Sequence, residues 1–295
     1  MISLIVCSIQ PDLLQQLTEN VAATVGVPYE IIATDNRNTG KGISQVYNEA
    51  LVKAQYEILC FVHEDIIIQT QNWGRVLVNL FKDTSLGLVG VAGSSYRPLT
   101  PSAWVGIGPA TVFNNIIQGY QYTVSPDTLI YANPKNQKLV NVVCVDGVWL
   151  STTKKVASEI LFDQETFKGF HFYDIDFSMS VVQKYKVAVT FEILIKHLSE
   201  GRYDSEWLKN SIKFSEKWQA RLPLAIGNFS KSELIRGEKM TFKHFINQLL
   251  QFGFPIAEAY KALWRGKRFY TVYRGLFFKL NYYILIKYAF RSGKY

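Results

Sequence analysis

An α/β chain built on a mostly parallel open sheet, with helices on both faces and a helical C-terminal appendage, is what three features of this sequence predict. Strand-length apolar runs alternate with amphipathic stretches of helical length from the first residues to about residue 90. Each of the first three runs ends in polar, chemistry-bearing residues, as strands do at the ligand-binding edge of an open sheet. Beyond residue 230 the composition shifts to basic and aromatic, marking a separate segment.

The elements follow in order. ISLIVCSI reads as a buried strand, PDLLQQLTENVAAT as a helix opened by Pro11, and YEIIAT as a second strand. After the loop DNRNTGKG, SQVYNEALVKAQ carries Val46, Ala50, Leu51 and Ala54 on one helical face, and EILCFV is a third strand ending in HED. Trp73, Val76, Leu77, Leu80 and Phe81 then mark an amphipathic helix, and LGLVGVAG a fourth strand. Residues 93–138 are rich in Gly, Pro, Ser and Asn and predict a long irregular excursion, with a short hairpin at 120–132. LVNVVCVDGVWLST reads as a strand pair or bent strand. Ile175, Met179 and Val182 mark a helix before the strand VAVTFE, and an aromatic helical stretch closes the body between Leu198 and Trp218. The domains expected are 1–229, the α/β body, and 230–295, a helical extension.

Composition narrows the function classes. With 48% hydrophobic and 19% charged residues the 295-residue chain is globular. Cys7, Cys60 and Cys144 lie in apolar runs without C-x-x-C spacing, which excludes a thiolate zinc site and predicts a reducing, cytoplasmic setting. The opening MISLIVCSIQPD has no basic leader and too short an apolar run for a signal peptide. Thirteen Lys and Arg against Glu233, Glu238 and Glu258 give residues 231–295 a net charge of +10, leaving −2 for the rest. Such a tail faces an acidic partner, and its Leu, Ile and Phe at helical spacing favour the inner face of a membrane over nucleic acid. Packing of its aromatics on the body or on a second copy is the competing reading.

Candidate chemistry sits where strands end. Cys7 and Ser8 close the first strand, Asp35 and Asn36 follow the second, and His63, Glu64 and Asp65 follow the third. Two carboxylates beside an imidazole repel one another unless a cation compensates, and hard oxygen ligands suit Mg²⁺ or Mn²⁺ together with phosphate oxygens. A nucleoside diphosphate is the implied ligand, although G-x-x-x-x-G-K-[ST] and G-x-G-x-x-G are both absent. Asp174 and Asp176 open a helix two residues apart and do not share a face, so one can cap it while the other is placed to act as general base; capping by both is the competing reading. His197 follows the strand VAVTFE in a loop able to return to the metal edge.

These pieces in order, CSIQPD, EIIATDNR, GISQVYNEALVKAQYEILCFVHEDI, VDGVWLS, FHFYDIDFSM and HLSEG, resemble glycosyltransferase family 2 of the A-type glycosyltransferase fold, in a bacterial branch with HED in place of D-x-D. The resemblance spans about residues 2–220. It implies an inverting transfer from a nucleotide-diphosphate sugar, commonly UDP-linked, to a hydroxyl on a glycan, lipid-linked or protein acceptor, in bacterial surface polysaccharide or glycoconjugate assembly. By position it implies Asp35 for the base, Cys7, Ser8, Asn36, Asn48, His63 and Glu64 around the donor, and Asp65 and His197 for Mn²⁺ or Mg²⁺. Asp174 falls on the general base, with Gly147, Tyr173 and Asp176 on the acceptor side. Two positions depart from the family: His63 stands for the first acid of D-x-D, and Tyr173 for the customary Glu before the base. A catalytically inactive nucleotide-sugar-binding protein is the alternative on the same fold; a pyrophosphorylase is disfavoured because CSIQPD lacks a Gly-rich basic loop. A homo-oligomer is compatible with all of these.

Overall fold

The computed structural model describes residues 1–121, 125–201 and 203–290. Contacts divide the chain into two compact units, Met1–Ser95 with Val112–Arg202, and Tyr96–Thr111 with Tyr203–Tyr295.

The first unit opens as the hydrophobic pattern requires: β1 (Ile2–Ser8), α1 (Pro11–Thr24), β2 (Tyr29–Asp35), α2 (Ile43–Lys53) and β3 (Ile58–Val62). Next come β4 (Ile66–Ile68), α3 (Trp73–Leu80), β5 (Leu86–Gly90) and β6 (Ala92–Ser94). After β7 (Tyr96–Arg97), which belongs to the second unit, follow β8 (Val112–Gln118), β9 (Thr128–Ala132), β10 (Leu139–Val142), β11 (Cys144–Val145), β12 (Trp149–Thr153), α4 (Lys154–Glu159), α5 (Tyr173–Val181), β13 (Lys186–Thr190) and β14 (Ile195–His197).

Seven strands form the main sheet in the order β10-β13-β5-β12-β3-β1-β2. Strand β1 is parallel to β2 and β3, and β13 to β5, whereas β12 runs antiparallel to both its neighbours and β10 to β13. Successive strand residues point to opposite faces, so both faces need cover. Leu150 joins Val46, Tyr47, Phe61, Phe162 and Phe177 in a core shared with α2, α4 and α5. Its neighbour Trp149 meets Trp73 of α3 on the other side, ring centroids 5.2 Å apart. The expected α/β class with a helical C-terminal region is observed, but the main sheet is mixed rather than mostly parallel, three of its six pairings being antiparallel.

The excursion at 93–138 is the main correction. It contributes three strands of a second, six-stranded sheet, ordered β11-β6-β8-β14-β4 with β9 against β8. The expected hairpin at 120–132 corresponds to the β8–β9 pair, which begins earlier, at Val112; residues 122–124 of that expectation lie outside the described residues. Only β6 is too short to show alternation; β8 and β9 have seven and five residues but lie among turn-forming residues, and non-local pairing supplies the order that local pattern lacks.

In the second unit β7 pairs with β15 (Leu224–Ala225), and its described residues also form α6 (Ser205–Lys217), α7 (Lys231–Gln251), α8 (Ile256–Trp264), α9 (Arg268–Val272) and α10 (Arg274–Ala289). Asp204 caps α6 through Trp207 N at 2.7 Å, and Ser230 with Glu233 forms a reciprocal capping box that starts α7. The tail aromatics Phe242, Phe245, Phe269 and Phe277 are buried in this unit. Residues 203–229 cluster with the tail rather than with the sheets, because Arg265 pairs with Glu216 at 2.9 Å and Arg268 donates to Ala220 O at 2.6 Å. The compact units thus divide before residue 203, not at 229. Among the described residues no helix is long and apolar enough to cross a membrane.

Candidate active site

The site forms at the edge where β1, β2 and β3 end. His63 leaves β3 with its N–H on Val148 O at 3.3 Å, which ties the triplet to the segment entering β12. Strand β14 then pairs with β4 so that His197 stands opposite Ile66, and Leu198 N donates to Asp65 O at 2.9 Å. His197 is therefore on a short strand rather than in the loop expected, and the antiparallel ladder brings it to Asp65.

His63, Asp65 and His197 offer ligand atoms that all lie within 4.8 Å of one another. His197 Nε2 is 3.3 Å from Asp65 Oδ2 and His63 Nδ1 is 3.8 Å from Asp65 Oδ1, while Ser199 Oγ donates to Asp65 Oδ2 at 2.5 Å. Burial opposes ionisation of Asp65, yet the two imidazoles and Ser199 outweigh it and hold the carboxyl well below its usual range. For His197 burial is likewise outweighed, by Asp65, and its pKa is raised; for His63 burial prevails and keeps the ring neutral. One ionised carboxylate and two imidazoles fit a divalent cation. His63, placed by its sequence position near the donor, thus joins the two residues expected to hold metal.

The base side is built around Gly147. Its N–H donates to Asp174 Oδ2 at 2.8 Å and its carbonyl accepts from Tyr173 Oη at 3.1 Å. A Cβ here would collide with the Tyr173 hydroxyl, so only glycine fits. Asp174, half-buried at the first turn of α5, is pushed up to about 7 by burial and then by the charge of Asp146. Asp146 was not singled out from the sequence. It accepts from Val148 N at 2.9 Å and its charge acts on His63, His197 and Asp174 together. Its only local signal was a carboxylate in the turn VDGV between two strands. The exposed Phe170 lies against His63, ring centroids 5.4 Å apart.

The remaining expected residues divide. Asp35, in register with Ser8 across β1 and β2, is exposed and forked by Arg37, whose hydrogen bonds lower its pKa to about 2. Asn36 N donates to Ser8 O at 2.7 Å, and its amide holds Lys41 O at 2.9 Å. Cys7 is half-buried and pushed up to about 11 by burial and by Glu64, so its thiol is neutral. Glu64, expected at a donor, is instead turned inward: it accepts from Ser8 Oγ at 2.5 Å and from the N–H groups of Ile9 and Gln10 at 3.0 Å, pinning the β1–α1 loop. Asn48 is likewise a brace, exchanging hydrogen bonds with the Phe162 backbone at 2.9 and 3.0 Å. Asp176 is 2% exposed, inside the protein rather than facing an acceptor.

The sheet order and flanking helices are those of an A-type glycosyltransferase fold. Residues 3–219 match the family described as "Glycosyltransferase like family", and the chain belongs to it. No curated protein matches the chain. Among solved structures, S. aureus TarS 1–349 in complex with UDP is similar over 100% of this chain and 92% of its own, with 11% identity and a TM-score of 0.52. GalNAc-T7 with UDP, GalNAc and Mn²⁺ is similar over 85% of this chain at 12% identity and a TM-score of 0.49; this chain spans 56% of its length.

Proposed function

We propose that the chain is an inverting glycosyltransferase that moves a sugar from a UDP-linked donor to an acceptor hydroxyl. The observation that carries this reading is the pairing, on one sheet edge, of a carboxyl tuned to about 7 with a cluster of cation ligands. A base with a pKa near working pH combines the right protonation state with useful proton affinity. The UDP in the TarS complex supports a uridine donor.

In this reading Asp174 accepts the proton of the acceptor hydroxyl as its oxygen attacks the anomeric carbon. The new C–O bond forms opposite the breaking bond to the diphosphate, and inversion follows. Gly147 N–H orients the carboxylate, and Asp146 keeps its proton affinity high. Asp35 holds the nucleoside end, while Ser8 and Glu64 fix the β1–α1 loop beside it. His63, Asp65 and His197 would hold a divalent ion, which when bound would supply charge neutralisation to the leaving diphosphate. Calorimetry tests the reading: UDP binds in the presence of Mn²⁺ and at least tenfold more weakly in EDTA, and Asp65→Ala removes the difference. Equal affinity in both conditions removes the metal from the scheme.

The acceptor side of the proposal is a membrane. On α10 the exposed Phe278, Tyr282 and Leu285 recur at i, i+4 and i+7, beside exposed Arg274, Lys279 and Lys287. That stripe suits an anionic lipid surface, where each basic residue contributes about 1 kcal/mol, and it fits a lipid-linked acceptor on the cytoplasmic face. Sedimentation with phosphatidylglycerol vesicles checks it: binding weakens with salt and with Phe278→Ser plus Leu285→Ser, whereas no binding at low salt overturns it.

A further inference from the structure

The two departures from the family's usual residues, His63 and Tyr173, touch each other: His63 Nε2 lies 2.9 Å from Tyr173 Oη. The direction of that hydrogen bond follows from the next one. Gly147 O is a carbonyl and accepts only, and Tyr173 Oη donates to it at 3.1 Å. With its proton toward Gly147 O, and Tyr47 as a further neighbour of the same hydroxyl, the Tyr173 oxygen faces Nε2 with a lone pair, so Nε2 carries the hydrogen. A neutral imidazole has one N–H, and Nδ1 is then left with an open lone pair. Nδ1 is the atom aimed at Asp65, at 3.8 Å, too long for a hydrogen bond between them. Phe170 lies against the ring and limits its rotation.

We propose that Tyr173 is a positioning residue that locks His63 as the Nε2–H tautomer, making Nδ1 a metal ligand and giving the site a preference for a first-row transition ion, Mn²⁺, over Mg²⁺. The inference rests on the metal-dependent reading above. Its chemistry is the ordinary second partner of a ligating histidine, in which the ring nitrogen away from the ion is engaged so that the other is presented. Two imidazoles with one carboxylate favour ions that accept nitrogen, while Mg²⁺ favours oxygen. The substitutions at 63 and 173 are then one change: an imidazole in place of a carboxylate requires an acceptor behind it, and the tyrosine, itself anchored on Gly147, is that acceptor.

Nitrogen-15 NMR of the full-length, metal-free protein reads the tautomer directly, and manganese EPR with Mg²⁺ as competitor, in the presence of UDP, reads the preference. The wild type is expected to show Nε2–H at His63 and to bind Mn²⁺ at least tenfold more tightly than Mg²⁺. Tyr173→Phe is expected to mix the tautomers and weaken Mn²⁺ about tenfold while Mg²⁺ changes little; His63→Asp is expected to reverse the preference. A wild type with Nδ1–H, or Tyr173→Phe with unchanged Mn²⁺ affinity, overturns the proposal even if UDP binding remains metal-dependent. If wild type binds UDP equally with and without metal, the metal reading itself has failed. Should Tyr173→Phe not fold, the wild-type tautomer and the Mn²⁺ to Mg²⁺ ratio still decide.

Discussion

Asp174 and Glu238 are both carboxyls pushed up to about 7 chiefly by burial, one in each compact unit, yet their surroundings differ in kind. Asp174 is half-buried, receives a backbone N–H on one oxygen, and has a second carboxylate, Asp146, nearby. Glu238 is 0% exposed; Tyr96 Oη and Leu99 N donate to its Oε1 at 2.8 and 3.0 Å, and it joins the 96–111 segment to α7. Equal shifts therefore carry unequal meaning. Desolvation alone raises a carboxyl wherever it is packed; access for a reactant and a like charge nearby mark the one able to exchange a proton.

Substitution at the two positions gives the largest expected contrast. Asp174→Asn lowers UDP-sugar turnover by about 10²–10⁴-fold with UDP affinity retained, whereas Glu238→Gln leaves turnover within about twofold. Turnover by Asp174→Asn at the wild-type rate breaks the comparison.

The pH dependence comes next. A carboxyl whose pKa is higher folded than unfolded binds a proton in the folded state that the unfolded state has lost, so stability falls as pH rises across that window. For Glu238 the window runs from 4.5 to about 7, and the loss is about 3 kcal/mol; chemical unfolding at pH 5 and 8 measures it, and Glu238→Gln flattens the slope. Asp174 adds a loss of the same sign. Turnover moves the opposite way, falling as pH drops through about 7 because the base becomes protonated. Asp146→Asn has a smaller effect: it moves that acid limb down by roughly one pH unit, read from the pH profile of kcat/KM. Asp35→Ala is smallest, weakening UDP about tenfold with melting temperature unchanged, since Asp35 is exposed and its depressed pKa reflects only Arg37.

Much of this contrast was legible in the sequence on one side only. The repeats from β1 to β3 announced themselves because each strand is five to seven residues long and each helix has an apolar face. Asp65, Asp174 and His197 stood out by their positions after strands or at a helix start. Asp146 did not, because its neighbours β11 and β12 come together with β6 and β3 only through long-range pairing. Glu64 and Asn48 read as ligands, since a sequence shows that a polar group lies near an edge but not which backbone N–H groups already occupy it. The tail's aromatics carried the same ambiguity: Phe242 and Phe245 are core while Phe278 is surface, and only packing distinguishes them.

The reversed strand β12 also sets a schedule for the chain during synthesis. Strand β5 pairs only with β12 and β13, and β3 shares its outer edge with β12, so until residue 149 has emerged β5 has no partner and β3 has a bare flank. These two strands, ILCFV and LGLVG, are fully buried in the finished protein. A nascent chain of about 130 residues therefore displays two uncharged, sheet-forming segments that only later sequence can cover, the hazard that unpaired edges present to aggregation. Arrival of Trp149–Thr153 covers the flank of β3 and one flank of β5, the other waiting for β13, and delivers Asp146 and Gly147 to the edge beside His63. The cleft is complete only later, once α5 has brought Asp174 and β14 has brought His197.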